Sequence, residues 1–242
     1  MIDTNLVVGV CLLLPVLGAF LVLVFGSRPN VREAATLLTG GLTFWHVWGL
    51  LHHVREGARP RLELLEIVPG VQLAFEVEPL GLLFALVASF LWIVTTLYAI
   101  GYMRGHHEKN QTRFFFFFAI AIAGALGVAF SANLFTLFAF YEVLTLCTFP
   151  LVTHHQTDEA RKAGRVYLGI LLTTSVAFQL LAIIWTWQLA DTVDFTEGGI
   201  LSGTASNGVL SAILVLFVFG VGKAAVMPFH RWLPAAMVAP TP

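Results

Sequence analysis

The sequence predicts an all-α polytopic membrane protein with about seven transmembrane helices, a small surface β-hairpin between helices two and three, and a broken seventh helix. Of its 242 residues, 58% are hydrophobic and only 11% are charged, whereas a water-soluble domain is about a quarter charged. The mean hydropathy is +0.85. Apolar runs of about 20 residues recur along the chain, and each can cross about 30 Å of hydrocarbon as a helix.

Hydropathy predicts the elements in order within a single membrane domain, residues 1–242. The predicted spans are Asn5–Phe25, Ala34–Val54, Leu80–Tyr102, Phe114–Phe130, Asn133–Val152, Val166–Leu189 and Val209–Val226. The first three spans and the hairpin make an N-terminal part, residues 1–103, and the last four make residues 113–242. The first span is predicted to be a retained helix, because Met1–Asn5 carries Asp3 and no basic residue, unlike a secretory signal.

The segment Arg61–Glu78 differs from the spans, because apolar and polar residues partly alternate around Pro69-Gly70. Alternation of this kind around a Pro-Gly turn is typical of a hairpin. We therefore expect a two-stranded β-hairpin at the membrane surface.

Charge counting orients the bundle, because basic residues near span ends stay preferentially in the cytoplasm. One side, called the basic side below, holds Arg28, Arg32, Arg104, Lys109, Arg113, Arg161, Lys162, Arg165 and Arg231. The opposite, acidic side has Arg55, Arg59 and Arg61 with Asp3, Glu56, Glu63, Glu66, Glu76, Glu78, Asp191, Asp194 and Glu197. We expect a multi-pass protein of the cell (inner) membrane with its N-terminus and hairpin outside.

Two charges lie inside apolar runs, Glu142 in the fifth span and Lys223 in the seventh. A centred charge costs roughly 2.5–3.5 kcal/mol on translocon-type scales, so such groups persist mainly where they face protein or water and carry ions or protons. The apolar walls around Glu142 disfavour a carboxylate without a partner. An acid and a base within the membrane favour a proton path, although a structural ion pair at Glu142 and a snorkelling Lys223 are the alternatives.

The seventh span carries further signals near Lys223. Pro228 lacks an N–H and its ring clashes with the carbonyl four residues back, so the helix should break beside Lys223, where freed carbonyls would favour a cation. Gly220 and Gly222 allow another helix to approach. If the turn were continuous, His230 would lie on the face of Lys223, as a relay or as a structural histidine.

No cofactor is expected, since the sequence has neither a phosphate-binding glycine loop nor a cysteine cluster. Adjacent histidines diverge by about 100° on a helix, so paired histidines do not favour a metal site. No nucleic-acid surface is expected either, and any redox chemistry would have to come from partners.

Two stretches resemble the antiporter-like subunits shared by Mrp-type cation/proton antiporters and respiratory complex I. Asn133–Glu142 reads NLFTLFAFYE and is similar to their fifth-helix motif, and 222–242 reads GKAAVMPFHRWLPAAMVAPTP and is similar to their broken seventh helix. Within this family, the chain resembles the D-type Mrp subunits. Many relatives carry an aspartate and a histidine where this chain has Ala235 and Met237.

The resemblance implies that Glu142 and Lys223 are paired half-channel residues, with His230 in the helix-break motif. It implies a proton-translocating subunit of a multi-subunit monovalent cation (Na⁺)/proton antiporter, embedded in lipid among other membrane subunits. Full subunits have about fourteen helices in two inverted units, so residues 113–242 would be an incomplete first unit and another chain would supply the C-terminal half. The alternatives are a subunit of a complex I-like redox pump, that is, a quinone oxidoreductase without its own redox site, of an inorganic carbon uptake complex, or a non-conducting scaffold.

Overall fold

The structure is a computed structural model that describes residues 4–240. The predictions that involve Met1–Asp3, including the acidic position Asp3, lie outside the described residues, as do the last two residues of the stretch 222–242.

Most of the described chain consists of long helices. In order, the elements are α1 (Thr4–Val24), α2 (Pro29–Arg55), β1 (Arg61–Val68), β2 (Val71–Glu76), α3 (Pro79–Gly105), α4 (Gln111–Ala129), α5 (Leu134–Val152), α6 (Asp158–Thr174), a π-helical segment (Ser175–Leu180), α7 (Leu181–Ala190), α8 (Asn207–Gly220), 3₁₀ turns (Gly222–Ala224 and Phe229–Arg231) and α9 (Trp232–Ala236).

Five helices are long and apolar enough to cross a membrane: α1, α3, α4, α5 and the continuous run Asp158–Ala190 that joins α6, the π segment and α7. The predicted second span coincides with α2, a helix of 27 residues, and the seventh with the shorter apolar α8. Within residues 4–240 the only sheet is the two-stranded hairpin. The prediction of an all-α polytopic membrane protein is confirmed.

Small residues allow the helices to approach closely, as is usual inside membranes. Gly127 of α4 packs against the ring of Phe140 of α5, where an added Cβ would overlap the ring. Gly18 of α1 likewise faces Thr39 of α2. Because the backbones approach closely at these positions, α4 packs extensively against α5, and α1 against α2.

A buried charged cluster joins the ends of α2, α3 and α4 on the basic side. Arg32 and Glu33 are 3% and 4% exposed and their side chains pair at 3.1 Å. Arg104 of α3 donates to Glu33 Oε2 at 2.5 Å, and Arg32 donates to Thr112 of α4 at 3.1 Å. Buried charges require such partners, so Arg32 is a structural residue rather than a residue of the solvated rim.

The hairpin forms as predicted, with β1 antiparallel to β2 and the turn at Pro69-Gly70. It is fastened to the start of α5, since Asn133 Nδ2 donates to Gln72 O at 2.8 Å and Ala74 N donates to Thr136 Oγ1 at 3.1 Å. Asn133 also caps α5, because its Oδ1 accepts from Thr136 N at 2.8 Å. The hairpin therefore fixes the position of α5 at the acidic side.

Most span-end histidines are exposed, as expected for interfacial residues, but His154 is not. It is 2% exposed, and its Nε2 lies 2.9 Å from the carbonyl of Lys109. Burial lowers the pKa of His154, the Lys109 carbonyl opposes this shift, and the nearby charge of Arg113 reinforces it. His154 is buried because the loop after α5 folds back against the loop before α4.

We predict that Gly127→Ala destabilises the protein by about 1–3 kcal/mol, because the new methyl group would force the Phe140 ring to move in a packed interface. Gly169→Ala is the matched control, since nothing lies within 4 Å of an added Cβ on that helical glycine. Thermal unfolding in detergent measures both. Equal midpoints for the two variants would contradict the packing described for α4 and α5.

We predict that stability falls as the pH drops below about 6.5, the ordinary pKa of histidine, in part through His154. Its pKa is lower in the folded protein, so the unfolded chain binds more protons in this range and acid favours unfolding. His154→Gln should flatten the dependence of the unfolding midpoint between pH 7.5 and pH 5. His53→Gln, at an exposed position, should retain the full dependence.

Candidate functional site

Lys223 lies just beyond the end of a broken helix. The α-helical geometry of α8 ends at Gly220, and Gly222–Ala224 form a 3₁₀ turn that carries Lys223. The break predicted beside Lys223 is confirmed, although it begins earlier than the predicted limit of Val226. Ala225, which follows the turn, has a φ of +52° and so leaves helical geometry entirely.

Two glycines bring this break against the π segment. A Cβ at Gly220 would lie 2.6 Å from the backbone nitrogen of Gln179, and one at Gly222 would overlap Thr174. The approach expected from these glycines is therefore present. The π segment Ser175–Leu180 lies opposite the break, and π turns inside α-helices are frequent at functional sites.

The Lys223 side chain is bound by α5. Its Nζ donates to the carbonyl of Tyr141 at 2.9 Å and to Thr145 Oγ1 at 2.5 Å. Nζ also lies 3.4 Å from the centre of the Tyr141 ring, a cation–π arrangement, and the backbone nitrogen of Lys223 donates to the Tyr141 hydroxyl at 2.9 Å. One turn of α5 thus supplies both neutral oxygens and a ring face to the ammonium group.

Glu142 lies beside this contact but does not form an ion pair within 4.0 Å with Lys223 or any other described residue. Both of its carboxylate oxygens are buried and lack a hydrogen-bond partner within residues 4–240. Buried carboxylate oxygens are normally satisfied. Glu142 directly follows Tyr141, which binds Lys223. The acid and the base therefore meet at the same turn of α5 without forming an ion pair.

His230 does not lie on the same helical face as Lys223, since the two residues are in separate 3₁₀ turns. It is exposed in the 3₁₀ turn Phe229–Arg231, because the helix that would have carried it to the lysine face is interrupted. The carbonyl of Gly222 accepts from the backbone nitrogen of Ala225 at 3.0 Å and from the indole Nε1 of Trp232 at 2.8 Å. The binding of a cation by freed carbonyls at the break stays a prediction.

Sequence reasoning missed a polar row that continues from the lysine. Thr148 lies three residues after Thr145 on α5, and its hydroxyl is 2.5 Å from the Tyr167 hydroxyl of α6. Tyr167 in turn packs edge-to-face on Trp232, with centroids 5.7 Å apart. The signal available was the placement of threonines three residues apart in an apolar span, but their partner on another helix could not be identified.

We predict that Thr145→Val lowers the free energy of unfolding by about 1.5–3 kcal/mol, because it removes a hydrogen bond to a charged group while preserving shape. Thr43→Val is the control, a buried threonine whose hydroxyl bonds to its own helix. In a Lys223→Met background, the cost of Thr145→Val should shrink to that of the control. An unchanged cost in that background would mean that the Lys223 contact does not stabilise the protein.

Two family models match the chain. The model described as "NADH:quinone oxidoreductase/Mrp antiporter, TM" matches residues 131–242, and the model described as "NADH-Ubiquinone oxidoreductase (complex I), chain 5 N-terminus" matches residues 69–115. The first contains α5 with Glu142 and the broken segment with Lys223. The second contains β2 and α3.

The curated relatives include both quinone oxidoreductase subunits and antiporter subunits. The chain is 27% identical over 259 residues to "NAD(P)H-quinone oxidoreductase subunit 5, organellar chromatophore 1" of Paulinella chromatophora, covering 95% of this chain and 37% of the relative. It is 28% identical over 174 residues to "Putative antiporter subunit mnhA2" of Staphylococcus haemolyticus (strain JCSC1435), covering 71% and 22%. The assignment to the D-type Mrp subunits stays a prediction.

The fold has a solved counterpart in the Mrp complex from Dietzia sp. DQ12-45-1b, with a TM-score of 0.79, 20% identity, and coverage of 98% of this chain and 44% of the other. At that identity the likeness concerns the fold alone. The chain spans less than half the length of these relatives. The matched models, the relatives and the helical fold together identify the chain as an antiporter-like membrane subunit related to complex I, corresponding to an N-terminal region of such subunits.

Proposed function

We propose that the chain is part of a proton-translocating subunit of a multi-subunit monovalent cation/proton antiporter, with Na⁺ as the exchanged cation. The observation that carries the proposal is a buried carboxylate without a described partner, Glu142, next in sequence to Tyr141, the residue of α5 that binds the Lys223 side chain. Intramembrane acids and bases are by default residues of ion or proton paths.

The contacts of Lys223 suit a group that gains and loses a proton. As an ammonium group it donates to the Tyr141 carbonyl and to Thr145, and as a neutral amine it can accept from the Thr145 hydroxyl, which is both a donor and an acceptor. Because both ligands are neutral, no fixed carboxylate locks the lysine in its charged form. Opposite charges on Glu142 and Lys223 attract each other, so the charge of one group acts on the other.

We assign His230 a later step in the same path. Its exposed position is consistent with exchange of a proton with water or a neighbouring protein of the complex, and histidine is a residue type that commonly shuttles protons in proteins. The interrupted backbone between Lys223 and His230 means that direct transfer between them would require movement of the segment 225–231. The proposal therefore places Glu142 and Lys223 first and His230 after them.

Other membrane subunits are the proposed partners. The solved counterpart is described as an Mrp complex, and large apolar side chains near the broken helix are exposed, such as Met227 at 74% and Met237 at 68%. A C-terminal half supplied by another chain stays a prediction. The proposed location is the cell (inner) membrane with the N-terminus outside, on the basis of the basic residues at the opposite side.

A complex I-like redox pump is the second candidate, favoured by the two complex I-type family descriptions and the quinone oxidoreductase relative. In that case the same membrane residues would move protons while electron transfer occurs in partner subunits. A Na⁺ gradient drives proton flux in the antiporter and an electron donor drives it in the redox pump. The energy source therefore distinguishes the two.

The test is proton flux through the assembled complex in membrane vesicles, driven by an imposed Na⁺ gradient. Glu142→Gln and Lys223→Ala should each lower the flux at least about tenfold, because each removes a group that must change its charge. Glu66→Gln and Lys162→Ala, at exposed positions, should leave the flux unchanged. Full flux in both site variants would exclude the proton path through these residues and favour a scaffold role for this chain.

A further inference from the structure

A cavity lined by several polar side chains lies on the basic side, away from Lys223. It has a volume of about 440 Å³ and is formed where α4 begins, α5 ends and α6 begins. Its lining consists of Arg113, Phe149, Thr153, Gln156, Arg161 and Arg165.

Three guanidinium groups converge on this cavity and no carboxylate of the described chain lines it. Arg161 and Arg165 are four residues apart on α6, where like charges repel. Within residues 4–240, neither side chain has an ion pair or a hydrogen bond, and the acidic residues that begin α6, Asp158 and Glu159, do not line the cavity. The positive charge of the cavity is therefore not neutralised by the described chain.

Arg113 is oriented by the end of α5 rather than by an acid. Its Nη2 donates to the carbonyls of Pro150 and Thr153 at 2.7 and 3.0 Å. Its Nε is buried without a hydrogen-bond partner in the described chain. The two carbonyls orient the guanidinium group of Arg113 without neutralising its positive charge, so this charge is available to an anionic ligand.

The cavity is at the membrane boundary. The hydropathy spans begin at Phe114 and Val166, one residue after Arg113 and Arg165 respectively. Phe149 adds an apolar wall, and Gln156 adds an exposed amide at the mouth. This combination of arginines, neutral donors and one aromatic wall matches a phosphate group that is bound to an apolar body.

We propose that this cavity, called the arginine pocket here, binds a phosphate-bearing anion at the basic surface of the membrane, either the headgroup of an anionic phospholipid or a free phosphate. Binding would offset the repulsion between Arg161 and Arg165 and would hold the start of α6 against the end of α5. The site is separate from the Glu142–Lys223 pair, and the proposal does not depend on proton transport.

Two measurements on the purified full chain test the proposal and distinguish the two sources. Native mass spectrometry measures retention of dioleoyl phosphatidylglycerol relative to dioleoyl phosphatidylcholine. Thermal unfolding in detergent compares inorganic phosphate with chloride at equal ionic strength. The variant is Arg161→Gln/Arg165→Gln, and the control is Arg28→Gln/Lys162→Gln, which removes two exposed charges from the same side outside the pocket.

We expect the pocket variant to lose phosphatidylglycerol selectivity, by about fivefold for each arginine removed, while the control retains it. That result supports the lipid source. If lipid retention is equal but a phosphate-specific rise in the unfolding midpoint disappears only in the pocket variant, free phosphate is the ligand. If both readouts are the same in the pocket variant and the control, the proposal is overturned. Equal helix content by circular dichroism verifies that each variant is folded.

Discussion

The binding of the Lys223 ammonium group by a single turn of α5 is the interaction on which the centre of the structure depends. A charge at membrane depth costs roughly 2.5–3.5 kcal/mol even on permissive scales, so the lysine needs oxygens within reach of Nζ. The Tyr141 carbonyl and Thr145 provide them, and the Tyr141 ring covers one face of the group. The broken end of α8 and this turn of α5 are therefore held together by the contacts of one residue, Lys223.

A continuous α8 could not meet that requirement in the same way. The end of the α-helix at Gly220 lets the 3₁₀ turn carry both the backbone nitrogen and the side chain of Lys223 onto Tyr141. Backbone groups freed by such a break must be satisfied within the membrane, and the Gly222 carbonyl is satisfied by Trp232. Glycine at 220 then allows the backbone to approach the π segment at Gln179, and glycine at 222 allows it to approach Thr174 at the end of α6.

Much of this arrangement could be predicted from residue type and spacing. Hydropathy located the helices, Pro69-Gly70 located the hairpin, and Pro228 with Lys223 indicated the broken helix, because each of these signals is local. Contacts between helices could not be predicted in this way. Nothing local to 175–180 indicates a π segment, and the Thr148–Tyr167 contact depends on how α5 and α6 pack. The same limit applies to Lys223, whose partners are a carbonyl and a threonine rather than the Glu142 carboxylate.

The attachment of the hairpin to α5 has a mechanical consequence. The Asn133 amide and the Thr136 hydroxyl bind the hairpin backbone at Gln72 and Ala74, so α5 cannot slide by one turn, about 5.4 Å, without breaking both contacts. The hairpin at the membrane surface therefore holds α5, the helix that bears Glu142, in one position along its axis. Any change in the separation of the acid and the base has to come from the other side of the pair, where the α-helix has ended and Lys223 lies in a single 3₁₀ turn.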